Sequence, residues 1–338
     1  MYSKIRPLLF LMEPERAHAV SYRALRLAMR LPGGEAILRR AFAPTRTPSP
    51  TPLFGLNFPN LVGVAAGYDK DALAWRGLAA LGFGHVEVGT VTPRPQPGNP
   101  KPRVFRLPQD GALINRMGFP NAGAAFVARQ LRGPKPPNFV LGVNIGKNKD
   151  TPLEAAASDY VSLIQTFAPL ADYIAINISS PNTEGLRRLQ ARETMQALLS
   201  ACAAARPAGL PLLVKLAPDL NDDELEDALG VCVDTRLDGV ILTNTTLRRD
   251  GLRAGPELAN QKGGLSGAPL RDVSTGIIRR ASRLTGGRLP IIGVGGIDSP
   301  SAAQEKLDAG AALVQVYTGL VYAGPMLAKN IVDGTRAG

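Results

Sequence analysis

A closed parallel (β/α)8 barrel with a short N-terminal helical extension is the fold that this 338-residue sequence predicts. Short apolar or β-branched runs recur along the chain, and Ala- and Leu-rich segments with helical spacing lie between most of them. Near-continuous apolar strands, each followed by a crossover, are typical of a parallel sheet covered by helices. No run has the pattern of an edge strand, which favours a closed barrel over an open doubly wound sheet.

The elements follow in chain order. Eight runs are predicted as strands: residues 61–66, 85–91, 139–145, 173–178, 212–217, 239–243, 291–294 and 313–317. The clearest helical segments between them are residues 153–167, 194–205, 222–233 and 301–309. A barrel takes about 250 residues, so the rest is expected in an extension, residues 1–46, and in enlarged loops over 93–138 and 247–289. Residues 47–338 are then one catalytic domain.

Composition excludes several classes of protein. The hydrophobic content of 45% suffices for a large core, and no stretch approaches the roughly 18 apolar residues of a membrane span. Cys202 and Cys232 lie in helical segments with neither metal-site nor disulfide spacing, which indicates small core residues in a reducing compartment. The apolar stretch near the N-terminus is short, ends at Glu13 and has no cleavage site, so export is not expected.

Positive charge is concentrated in the extension. Residues 1–46 carry nine Lys and Arg against three Glu, which is +6 of the formal net charge of +11. Two helix-like pieces, residues 5–12 and 14–29, have amphipathic spacing that indicates an element on an anionic membrane surface. Helices that only cap the barrel are an equal alternative. Nucleic-acid binding is not expected, because no stacking aromatics accompany the charges.

Polar side chains at the strand ends predict a reaction site. The apolar run 173–178 contains Asn177 and passes directly into Ser, Ser, Pro, Asn and Thr, although such residues also form ordinary turns. The chain has only two histidines, His18 and His85, and no pair of carboxylates with the spacing of acid–base catalysis. We expect neither a metal site nor a catalytic histidine. A site with so few acids and bases suggests that a cofactor carries the difficult step.

Lys215 and two glycine-rich turns indicate an anionic ligand. Lys215 stands in the middle of an apolar strand, where a buried ammonium requires a negative group. No acidic residue in the strands is an obvious partner, and an ion pair with a loop carboxylate is the alternative. Glycine-rich segments, Gly293-Val294-Gly295-Gly296 and Gly319, lie at the ends of the last two strands, where barrels commonly bind phosphate, although such turns are also often purely structural.

Eight motifs follow one another in order along almost the whole chain: residues 66–70, 89–99, 115–119, 142–148, 177–183, 243–246, 263–267 and 293–297. Together they resemble the dihydroorotate dehydrogenase family. The resemblance is to the quinone-dependent type, in which serine replaces the cysteine base of the soluble type and which alone has the N-terminal extension. Here the serine is Ser180. One departure is Glu184, which stands where the family often has proline.

The resemblance implies a cofactor, a substrate and residues for each. The cofactor FMN is expected to contact Ala66, Gly67, Thr90, Asn144, Asn177, Lys215, Thr243, Gly267, Gly296, Tyr317 and Thr318. Dihydroorotate is expected to meet Lys70, Asn115, Arg116, Met117, Gly118, Phe119, Asn177, Asn182, Asn244 and Thr245. His18 and Arg106 are the implied quinone contacts. Ser180 is the implied catalytic base, with Thr183 and a water as its relay.

The implied role is the oxidation of dihydroorotate to orotate in pyrimidine (UMP) biosynthesis. It places a monomeric flavoprotein peripherally on the cytoplasmic side of the cell inner membrane. Two alternatives stay open at this point. One is a soluble relative that reduces fumarate or NAD; the other is a colourless isomerase or aldolase that binds a sugar phosphate and uses Lys70 or Lys215 as a Schiff-base lysine.

Overall fold

A computed structural model describes residues 2–46 and 49–336 of the chain. The first residue of each predicted domain, 1 and 47, lies outside the described residues, as do 48, 337 and 338. The described strands are β1 (Thr51–Leu53), β2 (Leu56–Phe58), β3 (Val62–Val64), β4 (His85–Val91), β5 (Val104–Leu107), β6 (Ala112–Asn115), β7 (Val140–Ile145), β8 (Tyr173–Asn177), β9 (Leu212–Leu216), β10 (Gly239–Leu242), β11 (Gly264–Gly267), β12 (Ile291–Val294) and β13 (Leu313–Val316).

The helices surround these strands. In the same part of the chain they are α1 (Tyr2–Leu11), α2 (Pro14–Arg30), α3 (Gly34–Phe42), α4 (Trp75–Ala80), α5 (Ala124–Leu131), α6 (Ala156–Phe167), α7 (Arg192–Ala205), α8 (Asp222–Asp234), α9 (Pro256–Ala259), α10 (Arg271–Thr285), α11 (Pro300–Asp308), α12 (Thr318–Ala323) and α13 (Leu327–Gly334).

The predicted barrel is confirmed. Eight parallel strands close in the order β3, β4, β7, β8, β9, β10, β12, β13 and back to β3, so that each is bonded to the next barrel strand in the chain. All eight predicted runs are barrel strands, and β4 and β12 match them residue for residue. Their residues are buried on both faces, because side chains point alternately into the barrel and outward against the helices.

Aromatic side chains close the amino-terminal end of the barrel. The hairpin of β1 and β2 places Phe58 inside this end, with its ring 5.3 Å from the His85 ring in an edge-on contact. Gly63 leaves room for the imidazole, since a Cβ there would lie 2.1 Å from His85 Nε2. Burial lowers the pKa of His85 to about 3, so the ring is neutral. This arrangement agrees with the structural role expected for His85 at the stability face of a barrel.

The extension has three helices rather than the two that the sequence predicted. The missed helix is α3, which packs beside α2 and α4. The helix α2 is joined to the barrel by Glu15, whose carboxylate accepts hydrogen bonds from Arg103 at 2.9 and 3.1 Å. Arg106 donates at 2.7 Å to the Met12 carbonyl between α1 and α2. The helices therefore rest on the first enlarged loop as well as on the barrel wall.

Both enlarged loops contribute to a small sheet at the barrel mouth. β6 pairs antiparallel with β5 on one side and with β11, from the second loop, on the other. Gly267 of β11 has φ +102°, and a Cβ there would lie 2.3 Å from the Gly111 carbonyl oxygen, so glycine is required. The two loops thus form one wall beside the carboxyl ends of the strands.

Candidate active site

A cavity at the carboxyl ends of the barrel strands collects most of the residues singled out by the sequence. We call it the mouth cavity. Predicted residues that line it are Ala66, Gly67, Lys70, Thr90, Asn115, Met117, Gly118, Phe119, Asn177, Ser180, Asn182, Lys215, Thr243, Asn244, Thr245, Gly267, Gly296, Tyr317 and Thr318. Because the carboxyl ends of all eight strands meet at one face, residues far apart in sequence converge there.

Two predicted residues are not in the lining. Asn144 lies one layer deeper, and its Oδ1 accepts hydrogen bonds from Thr90 Oγ1 at 2.5 Å and from Asn177 Nδ2 at 3.2 Å. Arg116 points away, since its guanidinium donates to Gln261 Oε1 at 3.0 Å. The Arg116 guanidinium is therefore directed toward the second enlarged loop and not into the mouth cavity, and Asn144 lies beneath the floor; their predicted ligand contacts remain predictions.

A chain of buried amides fixes the floor of the mouth cavity. Asn177 Nδ2 donates to Thr90 Oγ1 at 3.0 Å, and Asn144 Nδ2 donates to Glu87 Oε1 at 2.8 Å. Glu87 also accepts from the Tyr173 hydroxyl at 3.1 Å and from Gln315 Nε2 at 3.0 Å. Every polar side-chain atom of this network except Gln315 Oε1 has a hydrogen-bond partner or remains accessible, and such a buried network has one favourable arrangement. The amides of Asn177 and Asn144 are thus held in fixed orientations before any ligand binds.

Lys215 enters the mouth cavity without a partner. The residue is 5% exposed, and the part of the chain described here offers its Nζ neither a hydrogen bond nor a salt bridge. Burial lowers its pKa, and the Glu87 carboxylate across the barrel opposes that effect. The sequence indicated no obvious acidic partner in the strands, and among the described residues Glu87 of β4 forms no ion pair with Lys215. Its carboxylate acts at a distance and leaves the Nζ free to bind a ligand.

Ser180 lies on the segment that follows β8. Its side chain lines the mouth cavity although the residue is only 6% exposed, and its Oγ accepts a hydrogen bond from the Asn182 backbone at 3.2 Å. The nearby Thr183 Oγ1 is buried with no hydrogen-bond partner among the described residues. Asn244, from the end of β10, donates to Ser179 Oγ at 3.0 Å and so joins this segment to the opposite wall.

A second cavity lies between the extension and the barrel. We call it the extension cavity; it has a volume of about 830 Å³ and lies mainly against α1 and α2. Both predicted quinone contacts, His18 and Arg106, line it. Burial and the Lys70 charge lower the pKa of His18 to about 4, so this imidazole is neutral. No helix within residues 2–46 or 49–336 is long and apolar enough to cross a membrane.

The two cavities meet at a thin wall. Lys70, Met117 and Tyr317 line both of them. The Tyr68 ring lies 4.9 Å from the His18 ring and 5.7 Å from the Tyr317 ring, with edge-on geometry in both pairs. An aromatic series therefore leads from one cavity to the other. Burial lowers the pKa of Lys70 to about 8, and its Nζ donates to the Gly67 carbonyl beside this wall.

Comparison with known proteins identifies the family. The family model described as dihydroorotate dehydrogenase matches residues 50–337. The chain belongs to the dihydroorotate dehydrogenase family. This membership confirms the resemblance inferred from the eight motifs, and it makes the protein an oxidoreductase of a flavin-dependent family.

Curated and solved relatives agree with this family. The chain is 50% identical to the dihydroorotate dehydrogenase (quinone) of Roseiflexus sp. (strain RS-1), across 99% of this chain and 93% of the relative. It is also 50% identical to that of Xanthomonas campestris pv. campestris (strain B100), across 99% and 96%. The crystal structure of the Eimeria tenella DHODH in complex with ferulenol is similar with a TM-score of 0.86 and 37% identity, covering 97% of this chain and 93% of that one.

Sequence reasoning missed several residues of this dehydrogenase site. Lining residues that lie outside all eight motifs and were not predicted are Ala65, Leu270, Gln315 and Val316. Glu87 was missed although, like Lys215, it is a charged residue inside an apolar strand. Gln315 had the same signal, a polar residue in the middle of a buried strand, and this signal could have found both.

Proposed function

We propose that this protein oxidises dihydroorotate to orotate with bound FMN and passes the electrons to a membrane quinone, in pyrimidine (UMP) biosynthesis. The observation that carries the proposal is Lys215, a buried ammonium that has no partner among the described residues and faces a floor of prearranged amides. Such a cation requires an electron-rich acceptor. A flat heterocycle with imide oxygens and nitrogens supplies that acceptor and also matches the amides.

The residues present fit FMN. Lys215, Thr90 and Asn177 offer donors to the ring system, while Gly295, Gly296 and Gly319 leave backbone amides accessible at the ends of the last two strands. A Cβ at Gly296 would lie 2.6 Å from Arg271 atoms, so this close turn requires glycine. Backbone amides of this kind suit a phosphate. The proposed FMN residues are Ala66, Gly67, Thr90, Asn144, Asn177, Lys215, Thr243, Gly267, Gly296, Tyr317 and Thr318.

The chemistry that FMN supplies when bound is acceptance of two electrons as a hydride. Lys215 holds positive charge beside the ring and stabilises the negative charge that develops there during the reaction. Because Asn144 and Glu87 hold the floor in one arrangement, little reorganisation accompanies the chemical step. The protein thus contributes position and electrostatics rather than an additional redox group.

Dihydroorotate is proposed to bind between the floor and the two enlarged loops. Lys70 binds its carboxylate, and the side-chain amides of Asn115, Asn182 and Asn244 match its ring imide, since each offers both a donor and an acceptor. Asn182 Nδ2 already donates to Asn115 Oδ1 at 3.2 Å, so these amides are near one another. The remaining proposed contacts are Met117, Gly118, Phe119, Asn177 and Thr245.

Ser180 is the proposed base that removes the proton from C5 of dihydroorotate. No histidine or carboxylate in the described chain lines the mouth cavity, so the base is a hydroxyl or a lysine. Ser180 is proposed among these because it stands at the serine base position of the quinone-dependent type. A serine is a weak base and must pass the proton onward. Thr183 is the proposed next member, through a water, since its buried Oγ1 has no partner in the described structure. An unsatisfied buried hydroxyl commonly marks a site for ordered water.

The extension, residues 1–46, is proposed to hold the quinone and to lie on the membrane. His18 and Arg106 line the extension cavity as its contacts, and the neutral imidazole suits an uncharged ligand. Leu8 and Leu11 of α1, with Leu27 of α2, expose 65%, 85% and 60% of their surface beside basic residues. Such surfaces bind anionic membranes peripherally. Residues 47–338 form the catalytic domain, and a monomer on the cytoplasmic side of the inner membrane completes the proposal.

An anaerobic absorption spectrum tests this function. The purified protein is expected to be yellow with bound FMN, to lose the visible flavin band on addition of dihydroorotate, and to recover it on addition of a quinone but not of fumarate or NAD. A colourless protein would indicate the isomerase or aldolase instead. Recovery of the flavin band with fumarate or NAD, but not with quinone, would indicate the soluble type.

A further inference from the structure

The side chain of Arg187 joins three segments beside the mouth cavity. Its Nε donates to the Ser179 carbonyl at 3.0 Å, its Nη1 to Asp219 Oδ2 at 2.7 Å, and its Nη2 to the Thr245 carbonyl at 2.8 Å. These acceptors follow β8, β9 and β10 in turn, which are adjacent in the barrel. One guanidinium therefore spans the ends of three neighbouring strands.

Asp219 extends this connection toward the second enlarged loop. Its Oδ1 accepts a hydrogen bond from Thr246 Oγ1, and its Oδ2 accepts from the Leu247 backbone at 3.1 Å. The side chains of Arg187 and Asp219 are 21% and 20% exposed, so the pair is largely shielded from solvent. Charge-assisted hydrogen bonds of a planar guanidinium are directional as well as strong. The pair thus restrains the backbone it contacts.

The segments that Arg187 joins carry the proposed chemistry. Ser179 immediately precedes the proposed base Ser180, and Thr245 immediately follows Asn244, a proposed substrate contact. Ser179 and Ser180 lie beyond the end of β8 at Asn177, and strand pairing in the described chain does not fix them. The segment after β10 is held separately, by a backbone hydrogen bond from Asn244 to Leu216 and by a bridge between Thr246 and Leu265. The position of the base relative to the substrate contacts therefore depends on side-chain bonds between the two segments, and Arg187 provides the charged ones.

We infer that Arg187 is a positioning residue that holds Ser180 at the correct distance from substrate bound by Asn244 and Thr245. The inference rests on the proposed function. Arg187 is absent from the lining of the mouth cavity, so it would act on the reaction without contacting the substrate or the cofactor. Misplacement of a reacting group by about 1 Å can cost up to about 10²-fold in rate.

Arg188 is a matched control. It is the same residue type on the same 3-10 turn, Leu186–Gln190, but its side chain is exposed and makes no hydrogen bond or salt bridge within residues 2–46 and 49–336. A change at Arg188 removes the same charge from nearly the same place. The difference between Arg187→Ala and Arg188→Ala therefore reports the three bonds and not the net charge.

Anaerobic stopped-flow reduction of the intact, flavin-loaded protein tests the inference. Arg187→Ala is expected to lower the limiting rate of flavin reduction by dihydroorotate at least about 10-fold. The dissociation constant of orotate should change by a smaller factor than this rate. The rate of flavin reduction by dithionite should be unchanged. Guanidinium ion should restore part of the lost rate by occupying the vacated space. Arg188→Ala should reduce at the wild-type rate without any response to guanidinium.

A second readout does not depend on turnover. Glu184 is exposed on the same loop, so a glutamate-specific protease followed by mass spectrometry reports the order of that loop. Cleavage after Glu184 should be faster in Arg187→Ala than in Arg188→Ala. If Arg187→Ala does not fold, Arg187→Lys is tested in its place. A lysine ammonium cannot make the three hydrogen bonds of the guanidinium at once, so this variant should show both slower flavin reduction and faster cleavage after Glu184.

The inference is overturned if the Arg187 variant shows the wild-type rate of flavin reduction and the wild-type rate of cleavage after Glu184. Rate loss without guanidinium rescue and without faster cleavage would also overturn it, because the loss would then not come from loop position. Failure of the wild-type protein itself to be reduced by dihydroorotate would instead reject the proposed function, while the protease comparison would still report whether Arg187 orders the loop.

Discussion

The mouth cavity and the extension cavity share a wall but differ in the chemistry of the side chains that line them. In the mouth cavity, rigid strands carry buried amides whose hydrogen bonds are satisfied by one another, as in Asn177, Thr90 and Asn144. In the extension cavity, two amphipathic helices present apolar side chains, and His18 is held neutral by burial. The difference indicates that one region selects a small polar substrate and the other an apolar electron acceptor.

The two regions are also held in place differently. The floor of the mouth cavity belongs to a closed barrel whose strands are each bonded on two sides. The extension is joined to the barrel chiefly by packing and by a few polar contacts, of which Glu15 with Arg103 is the most buried. Tyr2 and Arg6 add bonds to the carbonyls of Val321 and Tyr322. We therefore expect changes in one region to leave the chemistry of the other largely intact.

Ser180→Ala should produce the largest effect on the mouth cavity alone. Loss of the general base is expected to slow anaerobic flavin reduction by dihydroorotate by at least about 10²-fold. Flavin content, orotate affinity and reoxidation by quinone should be retained, because Ser180 is not among the proposed FMN residues and does not line the extension cavity. Stopped-flow traces for the two half-reactions check this, and reduction at the wild-type rate would show that another group is the base.

Lys215→Ala should weaken FMN binding or slow flavin reduction. A hydrogen bond to a charged group contributes about 1.5–3 kcal/mol, so FMN affinity should fall about 10-fold or more, or flavin reduction should slow to a similar degree. Equilibrium binding of FMN to the apoprotein, followed by reduction kinetics, measures both quantities. Retained flavin together with unchanged reduction kinetics would remove Lys215 from the mechanism.

Orotate affinity should depend on pH through Lys70 at the shared wall. The pKa of Lys70 in the free protein is lowered to about 8, so the lysine is charged below that pH and loses its proton above it. The dissociation constant of orotate should therefore rise above about pH 8, approaching 10-fold per pH unit. Lys70→Arg is the control, since arginine stays charged over this range and should give a flat profile. A flat profile in the wild type would exclude Lys70 as the carboxylate contact.

Glu15→Gln should have the smallest effect, confined to the junction between the regions. Glu15 accepts charged hydrogen bonds from the buried Arg103, so its loss is expected to lower the free energy of unfolding by about 1–3 kcal/mol. Glu35→Gln is the matched control, because Glu35 pairs only with exposed Arg39 in its own helix and should cost under about 0.5 kcal/mol. Denaturant unfolding curves of the two variants measure the difference. Equal losses would show that the Glu15 contact does not join the regions.

The barrel was predictable because its strands are buried on both faces. Runs such as 85–91 and 291–294 are apolar throughout, and this pattern needs no knowledge of the partner strand. The strand Gly264–Gly267 was missed for the opposite reason. Two of its four residues are glycine, and it forms only because Ala112–Asn115 lies beside it. The helix Gly34–Phe42 was likewise missed, since it is short and starts at a glycine.

The site was predictable where polar residues interrupt an apolar strand end. Asn177 and Ser180 were found in this way, and Lys215 by its charge inside a strand. Arg187 could not be distinguished from its neighbour Arg188, because a loop arginine gives the same sequence signal whether its guanidinium is buried or exposed. The direction of the Arg116 side chain was unpredictable for the same reason. Contacts across loops, rather than residue types, decide such roles.

The most direct test of the separation between the two cavities is deletion of residues 1–46, followed by measurement of both half-reactions. In the truncated protein, once shown to be folded and flavin-loaded, dihydroorotate should still reduce the flavin, and a small soluble acceptor should still reoxidise it. Reoxidation by a long-chain quinone and salt-sensitive binding to anionic vesicles should be lost. If long-chain quinone reoxidises the truncated protein as fast as the intact chain, and vesicles still bind it, the extension is only a structural cap and the separation is contradicted.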